Sequence, residues 1–262
     1  MFTDSHSHLD RVDLKPFAGS MATAMQHFRA AGLSQQLCVG IHAAALPEVL
    51  QLASDYDDIY ASVGIHPNEK WQESGEITQA ELLNWANHPR VVAIGETGLD
   101  YFRQKRGSDL SWQQQRFRTH IAAAKVCGKP LIIHCREAKD DTLRILQEEN
   151  AAAVGGVMHC FVEDWETAAA ALEIGFYISF SGIITFNNAA ELCEVAARVP
   201  EDRLLIETDS PYLTPAPFRG DSNTPAHVRY VAEKLAAVRQ CTVAEVAAIT
   251  TANFNTLFKI AA

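Results

Sequence analysis

The sequence predicts an α/β protein that folds as a closed (β/α)8 barrel, the TIM barrel. Short runs of apolar and β-branched residues recur eight times with helical patterns between them, and strands that alternate with helices form parallel sheets. Eight repeats in 262 residues fit the usual size of this barrel. Five of the runs end at or near a histidine or an acidic residue. Because the carboxyl ends of barrel strands meet on one face, these side chains are expected to converge.

The eight predicted strands are short and follow one another at intervals that leave room for helices. They cover residues 1–5, 34–39, 59–65, 91–96, 131–134, 156–159, 176–179 and 204–207. The intervening helices carry start and stop signals. Gly128 and Pro130 follow the helical pattern over 111–127 and are expected to end it. The other signals are Asp164 as the N-cap and Gly175 as the end of a helix over 165–172, Thr224 and Pro225 as the start of a helix to Ala237, and a last helix over 242–258.

Composition and chain organisation favour a single domain over residues 1–262. Hydrophobic residues make up 48% and charged residues 21% of the chain, as in ordinary globular proteins. No linker or shift in composition divides the sequence. Its start lacks the pattern of a signal peptide, and no apolar stretch is long enough to span a bilayer. We therefore expect a cytoplasmic protein without membrane association, and a monomer because no coiled-coil pattern is present.

Cysteine spacing and net charge limit the classes of function. The six cysteines show no C-x-x-C pattern, which argues against a disulfide framework and against a zinc ribbon. The formal net charge of -10 argues against a broad basic surface for nucleic acid. Bound divalent cations would reverse the sign locally, however, and could anchor a phosphate.

Six residues at the predicted strand ends form a candidate set of metal ligands. His6 and His8 are two positions apart in the first strand, so their side chains share a face. Neutral histidine suits Zn, Mn or Ni, carboxylates also admit Mg, and a carboxylate can bridge two ions. The pattern therefore predicts two divalent ions of undetermined identity and a hydrolytic enzyme. The candidate ligands are His6, His8, Glu96, His134, His159 and Asp209.

Two further residues are candidates for roles beside the ligands. His66 ends the third predicted strand, and we assign it a catalytic role with the substrate or with proton transfer, with ordering of its loop as the alternative. Glu207 lies two residues before Asp209 and could orient a ligand histidine or a water, or form an ordinary buried hydrogen bond.

Three residues on loops of the same face are candidates for binding substrate. Arg136 follows the fifth strand, and Arg219 and Asn223 follow the eighth; arginine pairs well with phosphate oxygens, although surface arginines are usually only solvated. Tyr101 and Phe102, after the fourth strand, could stack on a base or could anchor their loop.

Seven segments carry a resemblance that covers essentially the whole chain. They are Asp4-Ser-His-Ser-His-Leu-Asp10, Gly64-Ile-His-Pro67, Gly95-Glu-Thr-Gly-Leu-Asp100, Pro130-Leu-Ile-Ile-His134 with Arg136, His159-Cys-Phe161, Gly175-Phe-Tyr-Ile-Ser-Phe-Ser-Gly182 and Glu207-Thr-Asp-Ser-Pro-Tyr212. In order and spacing they resemble the TatD family of metal-dependent hydrolases, a branch of the amidohydrolase-like barrels. Ser7 stands where the family often has Cys, but its side chain is expected to point away from the metals.

The resemblance implies a dinuclear site in a barrel of the metal-dependent hydrolase type. Similar members are described as DNases that often trim DNA from the 3′ end. The implied ligand sets are His6, His8 and Asp209 on one ion, His134 and His159 on the other, and Glu96 shared.

The expected function is therefore that of a deoxyribonuclease of the 3′-5′ exonuclease type. It would cleave phosphodiester bonds through a metal-bridged hydroxide, with Asp209 orienting the hydroxide and accepting its proton and Glu96 shared by the ions. The same site could attack a carbonyl group instead, which leaves an ester or amide hydrolase, such as a D-aminoacyl-tRNA deacylase, as an alternative. A non-catalytic binding barrel is a third possibility, but it predicts the loss of some ligands, and all six are present.

Overall fold

The computed structural model describes residues 1–69, 76–105 and 107–260. Its eight strands are β1 (Phe2–Ser7), β2 (Leu33–Val39), β3 (Ile59–Val63), β4 (Val91–Asp100), β5 (Leu131–Arg136), β6 (Gly156–Met158), β7 (Tyr177–Phe180) and β8 (Leu204–Ile206). Each strand pairs in parallel with the next in sequence order, from β1 to β8. The sheet curls into a nearly closed ring, which confirms the predicted (β/α)8 barrel.

The described residues also form nine α-helices. One helix follows each of β1 to β7, and two follow β8. They are α1 (Met21–Ala30), α2 (Leu46–Asp55), α3 (Gln79–Ala86), α4 (Ser111–Cys127), α5 (Lys139–Glu148), α6 (Trp165–Glu173), α7 (Ala190–Arg198), α8 (Val228–Arg239) and α9 (Val243–Phe258). None of them is long and apolar enough to cross a bilayer.

The predicted helix signals act largely as expected. α4 ends at Gly128, whose φ of 67° is the left-handed conformation that glycine adopts without a steric penalty. The Asp164 side chain accepts a hydrogen bond from the Thr167 N–H and so caps α6. Pro225 differs from the prediction, because it begins a separate 3-10 turn and α8 starts only at Val228.

Four strands, β1, β4, β5 and β7, extend beyond their predicted ends, β4 by the most. β4 continues to Asp100 and β5 to Arg136, and their backbones stay paired through Gly98 opposite His134 and Asp100 opposite Arg136. Glu96 therefore lies within its strand rather than at the end of it. β3, β6 and β8 end earlier than predicted, at Val63, Met158 and Ile206.

The ring is completed where the last strand meets the first. Ser7 forms a parallel bridge with Ser210, just after β8, and the His8 N–H donates to the Ser210 carbonyl oxygen at 2.8 Å. The Asp209 N–H donates to the His6 carbonyl oxygen at 2.9 Å. These bonds hold two segments that are two hundred residues apart in sequence at one seam, on the carboxyl face of the barrel.

Apolar side chains fill two layers. One layer lies between the sheet and the surrounding helices, and the other fills the barrel interior. The interior layer includes Leu37, Ile132 and Leu205, and α9 packs against it with Phe254 and Phe258. Because strand side chains alternate between faces, one strand can contribute to both layers, as β8 does with Leu204 in the outer layer and Leu205 in the inner one.

Candidate metal centre

The structure brings all six predicted ligands together on the carboxyl face of the barrel. The contacts are His6 Nε2 to Glu96 Oε2 at 3.3 Å, His8 Nε2 to Asp209 Oδ1 at 3.3 Å, His134 Nδ1 to Glu96 Oε1 at 3.0 Å, and His159 Nε2 to Glu96 Oε1 at 3.0 Å. Glu96 lies at the centre of the cluster, because its two oxygens face different histidines.

Among the residues that the structure describes, ligand-type atoms within 4.8 Å of one another form three groups. The groups are His6, His8 and Asp209; His6, His159 and Glu207; and His66, Glu96 and His134. The first group equals one of the two sets that the family resemblance implies. The other two also include Glu207 and His66, which that resemblance did not assign as ligands.

Several buried polar atoms of the cluster have no hydrogen-bond partner among the described residues. Both ring nitrogens of His6 and Oε2 of Glu207 are in this condition. An unpaired buried polar atom costs stability, so such atoms normally have a partner. A divalent ion supplies one for imidazole nitrogen and carboxylate oxygen alike, so the donor set fits a metal.

Hydrogen bonds to residues other than the candidate ligands fix which nitrogen His8 and His159 turn inward. His8 donates from Nδ1 to the Val39 carbonyl oxygen at 3.1 Å, which leaves Nε2 facing Asp209. His159 Nδ1 lies 3.2 Å from Glu207 Oε1, so its Nε2 faces Glu96. Such carboxylate or carbonyl partners are typical of metal-binding histidines, and Glu207 is in the position of a residue that orients a ligand.

His66 differs from the other histidines in its hydrogen bonding. Its Nδ1 accepts from the Asn68 N–H at 3.0 Å, and its Nε2 lies 3.3 Å from Glu96 Oε1. A neutral imidazole that accepts at Nδ1 carries its proton on Nε2. His66 is therefore arranged to present an N–H toward the cluster rather than a free electron pair for an ion.

Two carboxylates of the site were missed by sequence reasoning. Asp100 Oδ2 lies 3.1 Å from His134 Nε2 and accepts from the Asn68 amide at 2.5 Å. Asp4 Oδ1 accepts from the N–H groups of His6 and Thr208. The period of two in a strand could have found both. Asp4 precedes His6 by two positions, and Asp100 follows Glu96 by four.

The pKa values of the cluster reflect burial opposed by neighbouring charges. Burial by itself raises the pKa of Glu96, but His159 and His66 outweigh burial and hold that pKa well below its usual value. Burial lowers the pKa of His159, yet the charges of Glu96 and Glu207 raise it well above normal. For His6, burial and the His159 charge together lower the pKa. Protons and metal ions therefore compete for the same nitrogens.

The predicted substrate-binding residues occupy three different environments. The Arg136 guanidinium lies 3.8 Å from the centre of the Phe102 ring and is partly exposed. Arg219 is exposed and lies at the same distance over Phe186.

Asn223 is fully buried, and its amide donates to the carbonyl oxygens of Thr208 and Tyr212 while its Oδ1 accepts from the N–H of Thr224 and faces His227. This argues against the predicted direct contact with substrate, because the side chain has no exposed atom. Asn223 instead holds the loop after β8.

Comparisons with known proteins identify the family and agree with the fold. The model of the family described as TatD related DNase matches residues 3–259. The chain is 44% identical to the metal-dependent hydrolase YcfH of Escherichia coli, over 98% of this chain and 95% of the relative. It is 41% identical to the metal-dependent hydrolase YabD of Bacillus subtilis, over 99% and 100%.

A solved structure and a more distant relative extend the comparison. The crystal structure of YJJV, a TatD homologue from Escherichia coli, superposes with a TM-score of 0.89 at 29% identity, covering 99% of this chain and 98% of that one. A protein of Edwardsiella piscicida named 3′-5′ ssDNA/RNA exonuclease TatD is 32% identical over 94% of this chain and 95% of the relative. With the family model matching nearly the whole length, the chain belongs to the TatD family of metal-dependent hydrolases.

Proposed function

We propose that this chain is a dinuclear phosphodiesterase that hydrolyses nucleic acid, DNA in the first instance, from the 3′ end. One observation carries the proposal: the two oxygens of Glu96 face two sets of histidines, His6 on one side and His134 with His159 on the other. A shared carboxylate between two ligand sets is the arrangement that holds two ions as a pair. The name of the Edwardsiella piscicida relative supports nucleic acid as the substrate and 3′-5′ as the polarity.

We propose that the ions are held by the six ligands predicted from the sequence, and that Zn, Mn, Mg or Ni can occupy the sites. When bound, the pair supplies Lewis acidity, which lowers the pKa of water and stabilises negative charge on phosphate oxygens. The histidine-rich side of the cluster favours Zn, Mn or Ni, and its carboxylates also admit Mg.

Asp209 is proposed as the proton acceptor. Burial raises its pKa, but the hydrogen bond from His8 and the charges of His6 and His8 outweigh burial and bring the pKa below its usual value. The carboxylate is thus ionised at neutral pH and can take a proton from an attacking water. His66 is proposed to donate from Nε2 to a phosphate oxygen, since its side chain is 20% exposed at the edge of the cluster.

The decisive experiment is hydrolysis of end-labelled single-stranded DNA by protein that has been stripped of metal and reloaded with Mg, Mn or Zn. We expect a ladder from the 3′ end that requires metal and is lost in His134→Ala. His27→Ala, which changes an exposed histidine on α1, is the matched control and should keep full activity. Metal content measured by mass spectrometry should be close to two ions per chain.

A negative result also has a defined meaning. If no DNA is cleaved while two ions are bound, the phosphodiesterase proposal is wrong. Turnover of an aminoacyl ester in the same assay would then identify a carbonyl substrate, with the same ligands in use.

A further inference from the structure

The exposed apolar side chains of the described residues gather on the face that holds the metal centre. Three of the five large ones, Phe102, Val162 and Tyr212, lie on the loops that follow β4, β6 and β8. Of the other two, Val126 lies in the last turn of α4, at the opposite end of the barrel. Single exposed apolar residues are common, but rings placed around a catalytic face suggest contact with a ligand.

Tyr212 lies directly beside one half of the cluster. Tyr212 is 46% exposed, and the centre of its ring is 5.9 Å from that of the His8 ring in an edge-on arrangement. Its N–H donates to the Asp209 carbonyl oxygen at 2.9 Å, and its carbonyl oxygen accepts from the buried Asn223 amide at 2.6 Å. The backbone of Tyr212 is therefore fixed to the turn that carries Asp209, while its ring faces solvent.

Phe102 lies on the loop next to the other half of the cluster. It comes two residues after Asp100, whose carboxylate contacts His134, and it is 52% exposed. The Arg136 guanidinium lies over this ring at 3.8 Å. A guanidinium on one face of a ring leaves the other face for a planar group.

The two rings lie on opposite sides of the barrel mouth. Tyr212 belongs to the seam where β8 meets β1, whereas Phe102 and Arg136 follow the paired strands β4 and β5. In a ring of eight strands these two positions are diametrically opposed. The metal centre lies between them, because its ligands come from β1, β4, β5 and the segments after β6 and β8.

We propose that Tyr212 and Phe102 are base-stacking platforms that hold unpaired nucleotides on either side of the phosphodiester to be cleaved. This inference rests on the phosphodiesterase function proposed above. Every base has a π face, so such platforms bind single strands without strong sequence preference. A base in a duplex is already stacked and paired, so a duplex cannot use them without unpairing.

Cationic side chains beside both rings match the charge of a nucleic acid strand. Arg136 lies on Phe102, and Arg11 Nη1 lies 3.5 Å from the Tyr212 hydroxyl. In a chain with a net charge of -10, Arg136 is a local positive group next to an exposed ring, whereas Arg11 also lies 3.5 Å from the Asp10 carboxylate. A strand whose bases stack on the rings would place its flanking phosphates within reach of the guanidinium groups.

The test is equilibrium binding of a labelled, phosphorothioate-linked oligothymidylate to the metal-loaded full chain, followed by fluorescence anisotropy. We expect Tyr212→Ala and Phe102→Ala each to raise Kd about 5- to 150-fold, the range that loss of one stacked base produces. Tyr212→Phe should bind like the parent chain. Val126→Ala removes an exposed apolar group away from the centre and should also leave Kd unchanged.

A second series identifies the base that each ring holds. In this series a single abasic nucleotide is placed at each position of the strand in turn. At one position it should raise the Kd of the parent chain as much as Tyr212→Ala does. The Tyr212→Ala variant should bind this abasic strand and the intact strand equally well. The Phe102→Ala variant should be insensitive to an abasic nucleotide at a different position of the strand. The inference is overturned if the parent chain does not bind the oligonucleotide or if both alanine variants bind like Val126→Ala. It is also overturned if, at every position, the abasic nucleotide raises the Kd of the alanine variants by the same factor as it raises the Kd of the parent chain.

The outcome separates this inference from the proposed function. If the alanine variants raise Kd as expected but no phosphodiester is hydrolysed, the stacking role of the two rings is supported and the phosphodiesterase function is rejected. Normal hydrolysis of single-stranded DNA by the Tyr212→Ala and Phe102→Ala variants, with parental KM and Kd, would do the reverse.

Discussion

Asp209 is aimed into the cluster by its backbone conformation. Its φ of 55° lies in the left-handed region, which Asp adopts more readily than most residues. The N–H of this turn donates to the His6 carbonyl oxygen, and the side chain reaches His8 Nε2 at 3.3 Å and His6 Nε2 at 3.6 Å. The position of the carboxylate therefore depends on the β8–β1 seam as well as on the residue type.

The role of Asp209 as proton acceptor leads to a specific prediction. Asp209→Asn keeps the size of the side chain and one carbonyl oxygen but removes the ionised group, so kcat on DNA should fall about 100- to 10,000-fold. Steady-state kinetics and metal content are measured together. Asp221→Asn, an exposed carboxylate on the same loop, should retain the parental rate. An Asp209→Asn enzyme with both ions and full kcat would show that another group takes the proton.

The raised pKa of His159 predicts that metal binding releases protons. Despite burial, Glu96 and Glu207 raise this pKa well above its usual value, so the imidazolium must lose its proton before an ion can bind. Metal affinity should therefore increase as pH rises through and beyond the usual pKa range of histidine. Calorimetric titration of Zn or Mn in two buffers of different ionisation enthalpy measures the protons released. Glu207→Gln removes one of the charges that raise the pKa, so it should reduce the number released near neutral pH; an unchanged number would contradict this explanation.

At the level of strands and helices, the sequence was most informative where a hydrophobic pattern coincides with residues that begin or end an element. The positions of all eight strands and the end of α4 at Gly128 follow from local signals. The continuation of β4 to Asp100 does not, because it depends on pairing with β5 across the barrel mouth.

The same reasoning applies to the candidate site. The convergence of its six candidate ligands could be predicted from residue type and strand position, and the structure brings these side chains together. The buried role of Asn223 could not, because its partners are backbone carbonyl groups, which carry no sequence signal.

His120 links α4 to the loop after β3 and should make stability depend on pH. The ring is fully buried, accepts from the Ile65 N–H at Nε2 (3.0 Å) and donates from Nδ1 to the Arg116 carbonyl oxygen (2.8 Å). Burial lowers its pKa to about 4, whereas the unfolded value is 6.5. As pH falls, His120 is therefore protonated in the unfolded state before it is protonated in the folded state. The free energy of unfolding should decrease by roughly 3 kcal/mol between pH 6.5 and pH 4 from this group alone.

Urea unfolding at pH 7.5 and pH 4.5 measures this contribution. His120→Gln should lower the unfolding free energy at pH 7.5 by about 1–3 kcal/mol, because the Ile65 N–H and the Arg116 carbonyl lose well-placed partners. It should also reduce the difference between the two pH values. An unchanged pH dependence would mean that other groups govern acid sensitivity. His27→Ala, at an exposed histidine, is the control that should change neither quantity.

At the scale of the whole molecule, the end of the chain ties the barrel together. Thr3 in β1 and Thr251 in α9 have hydroxyl oxygens 2.9 Å apart, and the Asn253 amide donates to the carbonyl oxygens of Glu201 and Leu204 at the start of β8. α9 therefore bridges the first and last strands at the end opposite the metal centre. We propose on this basis that residues 1–262 fold as a single domain.

The Asn253→Ala variant tests this proposal, because a single domain loses stability as a unit. The change leaves two backbone carbonyl groups without a donor and should cost about 1–3 kcal/mol, which corresponds to a fall in Tm of several degrees for a chain of this size. Near-UV and far-UV circular dichroism should report one shared transition, lowered equally by both probes. Thr256→Ala alters an exposed residue of the same helix and should leave Tm within about a degree of the parent.

If far-UV signal from α9 were lost before the near-UV signal of the barrel, α9 would be a separately melting element rather than part of the domain. A shared transition would instead mean that the α9 bonds, at the far end of the barrel, also stabilise the β8–β1 seam that positions Asp209.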